Sequence, residues 1–311
     1  MSNHDSARPA TVLAGRSIHP AGPVPETAST TAAAAQDFWA ELRRTTQARI
    51  GLGRTGDALP TTEVLEFRAV HAAARDAVHN PLDVAALSTR VTALGLGEPA
   101  HVRSRAADRS EYLRRPDLGR LPAGVDAVNA RTAAGQEDAP KLAGLSRVGA
   151  DIGIVLADGL SPRALSDHGA PMVAALVEAL GDRYTFAPPV IATQARVALG
   201  DHIGAALGVT TLLVLIGERP GLSVADSLGI YLTHLPRPGR ADSERNCISN
   251  IHPPEGLGYA RAAQVAAGLI EGARRLGRSG VDVKDTSTGP ALESSDATVL
   301  DAVVSQAADP G

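Results

Sequence analysis

The sequence predicts an α/β protein, an open, doubly wound, mostly parallel sheet preceded by an N-terminal helical domain or arm. Two textures carry this expectation. Up to about residue 115 apolar side chains recur near every 3.6 residues, whereas after about residue 150 short apolar runs stop at turn residues and give way to helical patterns. Alternation of the second kind implies parallel strands joined by crossover helices, a topology that places ligands beyond the carboxyl ends of the strands.

Each element has its own signal. Residues 1–34 are rich in Ala, Thr, Ser and Pro without a sustained period, so a flexible tail is expected. Leu59-Pro60-Thr61 opens a helix whose stripe is Val64, Phe67, Val70, His71, Ala74 and Val78, and Asn80-Pro81 closes it. A further helix starts at Asp83 and another spans 103–115, giving a helical domain over 35–120. A Gly- and Pro-rich stretch near 119–150 leads into the sheet domain, 121–285. There Ile152–Ala157 is a buried strand ending at Asp158-Gly159, and Ser161 to Leu180 is its helix. Pro188 to Thr193 and Thr210 to Ile216 are further strands, Gly258 to Arg275 a helix, and Val281–Val283 an edge strand. Residues 286–311 form a second tail, in which Val299, Leu300, Val303 and Val304 would line one side of a short helix.

Composition narrows the class. A chain of 311 residues can bury about 75% of its unfolded surface, and 44% hydrophobic against 21% charged residues is the balance of a globular protein. The net charge of −4 predicts no general affinity for nucleic acid, and with 3% aromatic residues the core must be aliphatic. One cysteine, Cys247, cannot form an internal disulfide, so the chain reads as cytoplasmic. The opening residues lack a secretory pattern and no apolar run approaches a membrane span.

Two carboxylates fall where the topology puts ligands. Asp158 follows the first strand, and Glu218 follows the third within Gly217-Glu218-Arg219-Pro220-Gly221, a turn that can bring backbone close to a bulky ligand. Asp158 reads equally as a cap for the next helix, and Glu218 as the partner of an arginine. The polar segment from Arg245 to Pro253 reads as a binding loop; within it Cys247 is either a packed thiol or a nucleophile with His252 as its base. Arg103, Arg105, Arg109, Arg114, Arg115 and Arg120 against Asp108, Glu111 and Asp117 leave a net +3 with only Tyr112 interleaved, which suits a solvated or interface face better than nucleic acid. Metal-site spacings and glycine-rich phosphate loops are missing. Asp158 as a metal ligand with Ser161 as nucleophile would make a metal-dependent phosphoesterase, the principal alternative function; an adaptor without cofactor is a third.

Taken in order, segments between about Thr45 and Asp285 resemble the small subunit (light chain) of ethanolamine ammonia-lyase, an adenosylcobalamin-dependent enzyme. They include Thr46 to Arg54, His71 to His79, Arg103 to Arg109, Tyr112 to Gly119, Ala157 to Ser161, Arg196-Val197-Ala198-Leu199-Gly200-Asp201, Gly217 to Leu222, and Asn246 to Ile251. The resemblance implies a Rossmann-like sheet and a barrel-shaped large subunit as partner, with six copies of each chain. It places cobalamin between the chains, ethanolamine in the large subunit, and the 35–120 domain against that partner. Carried over by motif, the cofactor contacts are Val197, Glu218 and Cys247, and no residue of this chain is assigned a catalytic role. Asp167-His168-Gly169 lacks the spacing of a histidine that ligates cobalt, so the cofactor is expected to keep its own benzimidazole ligand. Relatives in some bacteria use the N-terminal segment to enter an ethanolamine-utilisation microcompartment; residues 1–34, with four prolines, depart from that pattern.

Overall fold

A computed structural model describes residues 26–46, 48–124, 142–285 and 287. The chain divides into two compact units, one up to Leu65 and one from Glu66 onward. Helix α1 (Glu26–Arg44) occupies the first unit and reaches back into the segment whose sequence predicts a tail; residues 1–25 lie outside the described residues. Helix α2 (Thr61–His79) crosses from the first unit into the second and has the bounds its start and stop signals predict.

The second unit is a mixed α/β structure. Its elements run α3 (Val84–Thr92), β1 (Ala100–Arg103), α4 (Arg109–Arg114), β2 (Ile152–Ala157), α5 (Pro162–Leu180), β3 (Val190–Thr193), α6 (Leu199–Leu207), β4 (Thr211–Gly217), β5 (Leu228–His234), β6 (Asn246–Ile251) and α7 (Tyr259–Leu276). One six-stranded sheet has the order β1-β3-β2-β4-β5-β6; β1, β3, β2 and β4 pair in parallel, and β5 is antiparallel to both its neighbours. Every residue of β2 and β4 is buried, as continuous apolar runs in a sheet covered on both faces require.

Alternation along the strands sorts the core. Ile152, Ile154 and Leu156 join Leu213 and Leu215 under α3, α5 and α7, while Val155, Ala157, Leu212, Val214 and Ile216 face α6 through Leu199, Ile203 and Leu207. The helices start where short polar side chains satisfy free backbone donors. Asp83 accepts from Ala86 N at 2.9 Å, Asp108 from Glu111 N at 2.8 Å, and Ser161, followed by Pro162, from Ala164 N at 3.2 Å.

Three expectations need correction. The helix expected over 103–115 begins only at Arg109 as the shorter α4, capped by Asp108; Arg103 instead ends strand β1, which pairs with β3, and 104–108 connect the two. The segment expected as a loop around Cys247 is strand β6, whose Ile248 and Ile251 turn into the core while its other side chains are exposed or half-buried, as at a sheet edge. Val281–Val283 is not a strand; Val283 packs into the core under α7, and the sheet edge there is taken by β6.

Candidate functional site

A pocket of about 290 Å³ opens at the carboxyl ends of β2, β3 and β4. Leu160, Val197 and Ile216 supply aliphatic wall, Glu218, Arg196 and Arg219 supply charge, and Tyr231 of β5 closes one side. Two arms present these groups. One is the turn from β3 into α6, residues 194–198, which carries Val197; the other is the turn after β4, which carries Glu218.

Between the arms runs the β2–α5 connection, and it packs against the second of them at close range. Gly159 has φ +57°, and a Cβ there would lie 2.2 Å from the carbonyl oxygen of Gly217, so only glycine lets the two strand ends touch. Gly119 performs the same service for the first arm, since a Cβ would approach Arg196 Cγ to 2.8 Å. Its carbonyl accepts from Arg196 N at 2.9 Å.

Glu218 is held from three sides. Ser227 Oγ donates to Oε2 at 2.6 Å, Asn250 N donates to Oε2 at 3.3 Å, and Ser249 Oγ donates to Oε1. A carboxylate offers about four acceptor positions, so roughly one remains for a group entering the pocket. The arginine pairing that the sequence allowed for Glu218 is not formed.

Cys247 stands beside the pocket rather than in its wall, directly across the β5–β6 ladder from Tyr231. Its thiol is shifted above its ordinary range, by desolvation first and then by the Glu218 charge, with the Tyr231 hydroxyl opposing. Tyr231 is pushed up to about 12, again chiefly by burial. His252 bonds Asn250 through Nε2 at 2.8 Å and is buried, so the Cys–His pairing imagined from the sequence does not exist. A neutral thiol facing a phenol is a contact group, not a poised nucleophile.

The other sequence candidates are structural. Asp158 does not cap α5; it is 3% exposed and accepts from Gln194 N at 2.8 Å and Ala195 N at 2.9 Å. Ser161 is fully buried, caps α5 and donates to Ala225 O at 2.8 Å. Both side chains of the phosphoesterase alternative are therefore spent on backbone. Among the described residues, no three His, Cys, Asp or Glu side chains converge on a metal position.

One feature escaped the sequence entirely. Arg245 and Asp201 form a buried bidentate pair, Nη1–Oδ1 at 2.6 Å and Nη2–Oδ2 at 2.7 Å, with Thr233 and the Arg240 carbonyl taking further guanidinium hydrogens. It fastens the start of α6, and so the Val197 arm, to the entry of the strand bearing Cys247. The available signal was an acid inside the apolar run Leu199-Gly200-Asp201-His202-Ile203, which cannot be buried without a cation.

Residues 36–284 match the family model described as "Ethanolamine ammonia-lyase light chain (EutC)". The chain belongs to the ethanolamine ammonia-lyase light chain family. Similar light chains include the ethanolamine ammonia-lyase small subunit of Rhodococcus erythropolis, 63% identical over 265 residues that cover 85% of this chain and 96% of the relative. The small subunit of Ralstonia nicotianae is 46% identical over 85% of this chain and 94% of its own length. That of Rhodopseudomonas palustris is 48% identical over 79% and 90%. The two pocket arms and the Cys247 strand all fall inside the light-chain match, whereas residues 1–35 and 285–311 lie outside it. No helix among the described residues of this light chain is long and apolar enough to cross a membrane.

Proposed function

We propose that this chain is the cofactor-binding small subunit of an adenosylcobalamin-dependent ethanolamine ammonia-lyase, active only with its large subunit. The observation that carries the reading is the pocket itself, an aliphatic wall with one part-free carboxylate at the strand ends. At about 290 Å³ it is far smaller than a corrinoid, so it suits one side of such a ring and leaves the rest to another chain.

The residues present fit the group. A corrin offers a broad apolar face fringed with amides; Val197 and Ile216 suit the face, and the remaining lone pair of Glu218 suits an amide N–H. The neutral thiol of Cys247 can lie against a corrin edge without reacting. When bound, adenosylcobalamin supplies the radical chemistry that converts ethanolamine to acetaldehyde and ammonia. This chain's share is to hold the ring in place and keep water from its covered side. The sheet would then serve as a Rossmann-like, doubly wound scaffold, with 35–120 against the large subunit and six copies of each chain in the assembly. We place that assembly in the cytoplasm; residues 1–25, the part most relevant to microcompartment entry, lie outside the described residues.

The test is acetaldehyde production by this chain, by the large chain, and by their mixture, each supplied with adenosylcobalamin and ethanolamine. Activity in the mixture alone is expected. Full turnover by the large chain alone would end the proposal.

A further inference from the structure

Resting on the reading above, we propose that Asp158 is a positioning residue for the cofactor, setting, together with Arg109 and Tyr112, the turn that carries Val197. The turn is tied at consecutive peptide groups. One Asp158 oxygen takes the N–H of Gln194 and the other that of Ala195, and the Ala195 carbonyl accepts from Tyr112 Oη at 3.1 Å. Gln194 needs this restraint, because at φ +52° a residue with a side chain sits in the left-handed region that it would otherwise avoid. Val197 follows three residues later.

The brace is itself fixed from behind. Arg109 donates through Nε to Val78 O at 2.7 Å and through Nη1 to Gly159 O at 2.8 Å, which leaves Nη1 3.8 Å from Asp158 Oδ2. Arg109 and Arg196 stack on the Tyr112 ring with their guanidinium carbons 4.7 and 4.3 Å from its centroid. Arg109 Nη2, Arg196 Nε and Gln194 Oε1 are buried there without a protein hydrogen-bond partner. The turn that Asp158 holds runs straight into the pocket wall, since Arg196 and Val197 both line the pocket.

The arrangement makes cofactor binding pH-sensitive in a definite direction. The groups facing Asp158 are Arg109 and Tyr112 from α4 and the backbone N–H groups of Gly159, Gln194 and Ala195; Arg196 bears on Arg109 and Tyr112, and Arg219 on Tyr112. Burial outweighs them and raises the carboxyl to about 6. As pH falls through that value the folded protein takes up a proton. This relieves the cost of a buried charge, so the group's contribution to global stability rises toward the ordinary carboxylate range. The turn loses an acceptor at the same moment. Local positioning and global stability therefore move in opposite directions, which distinguishes a positioning role from a structural one.

The experiment measures adenosylcobalamin affinity of the assembled two-chain complex, by the cofactor's absorbance, between about pH 7.5 and about pH 5. Asp158→Asn keeps the shape but loses one acceptor at every pH. It should bind about tenfold more weakly than wild type at the upper end, the scale of one charge-assisted hydrogen bond, and show a flat profile. Wild type should lose affinity below about pH 6. Tyr112→Phe, which removes only the bond to Ala195, should weaken binding about threefold, the scale of one neutral hydrogen bond, while keeping the pH break; it decides the matter should Asp158→Asn fail to assemble. Wild-type affinity in both variants, or a flat wild-type profile, overturns the inference. A wild-type complex that binds no cobalamin at any pH overturns the function proposal beneath it instead.

Discussion

The ends of β2 and β4 lie side by side in the sheet, each followed within one residue by a carboxylate, and the two acids are used in opposite ways. Asp158 is sealed in, accepts from two backbone N–H groups and is raised to about 6 by burial. Glu218 is half-buried, accepts from two serine hydroxyls and one backbone N–H, and keeps roughly one acceptor position toward the pocket. Topology alone makes both look like ligand groups. What separates them is access: Asp158 is sealed behind the turn it holds, whereas Glu218 lines the pocket with part of its carboxylate open.

That contrast can be broken at its foundation first. Asp201→Ala strands Arg245 in the core and should cost about 3–5 kcal/mol, read from urea unfolding. A smaller loss in the Asp201→Leu, Arg245→Met double variant would show that the cost is the orphaned charge rather than the anchoring of the Val197 arm. Next, Glu218→Ala should weaken adenosylcobalamin binding by about tenfold while the two chains still assemble by size-exclusion chromatography. Unchanged affinity would move Glu218 to the scaffold, beside Ser161. Ser161→Ala removes a cap and should cost about 1 kcal/mol with turnover of the mixed chains intact. Abolished turnover in a stable protein would return Ser161 to the list of chemical residues. The smallest effect is at Cys247: with its thiol raised, alkylation of the free chain near pH 7 should be slower than that of a small thiol and accelerate only at alkaline pH. Cys247→Ser should leave stability within about 0.5 kcal/mol.

The parallel part of the fold was legible because its strands are continuous apolar runs with strong stops. Ile152–Ala157 and Asp158-Gly159 gave β2, and Ser161-Pro162 gave the start of α5. The β1 and β6 edges were not, for a shared reason. Ala100-His101-Val102-Arg103 and Asn246–Ile251 carry polar side chains toward the exposed side of the sheet, so their apolar content is too low to betray a strand. Within the site, Glu218 stood out by position and Cys247 by rarity, but a valine such as Val197 carries no chemical mark; only the resemblance singled it out. Tyr112 was visible as the lone aromatic among arginines, yet its role depends on contacts to residues more than 80 positions away, which no local pattern encodes.

The reversed direction of β5 has a practical consequence for anyone wishing to alter this protein. Because β4 and β5 are antiparallel neighbours, the chain leaves the sheet at Gly217 and re-enters at Leu228 on the same edge, clasped by Glu218 N donating to Ser227 O at 2.9 Å. The excursion between is a handle clasped at its roots and held again at Ala225, whose carbonyl accepts from Ser161 Oγ, so residues 220–224 form its tip. Doubling such a span costs only about 0.6 kcal/mol in closure entropy. The protein thus carries, next to its pocket, a ready point for grafting a longer or differently charged segment without retuning the sheet.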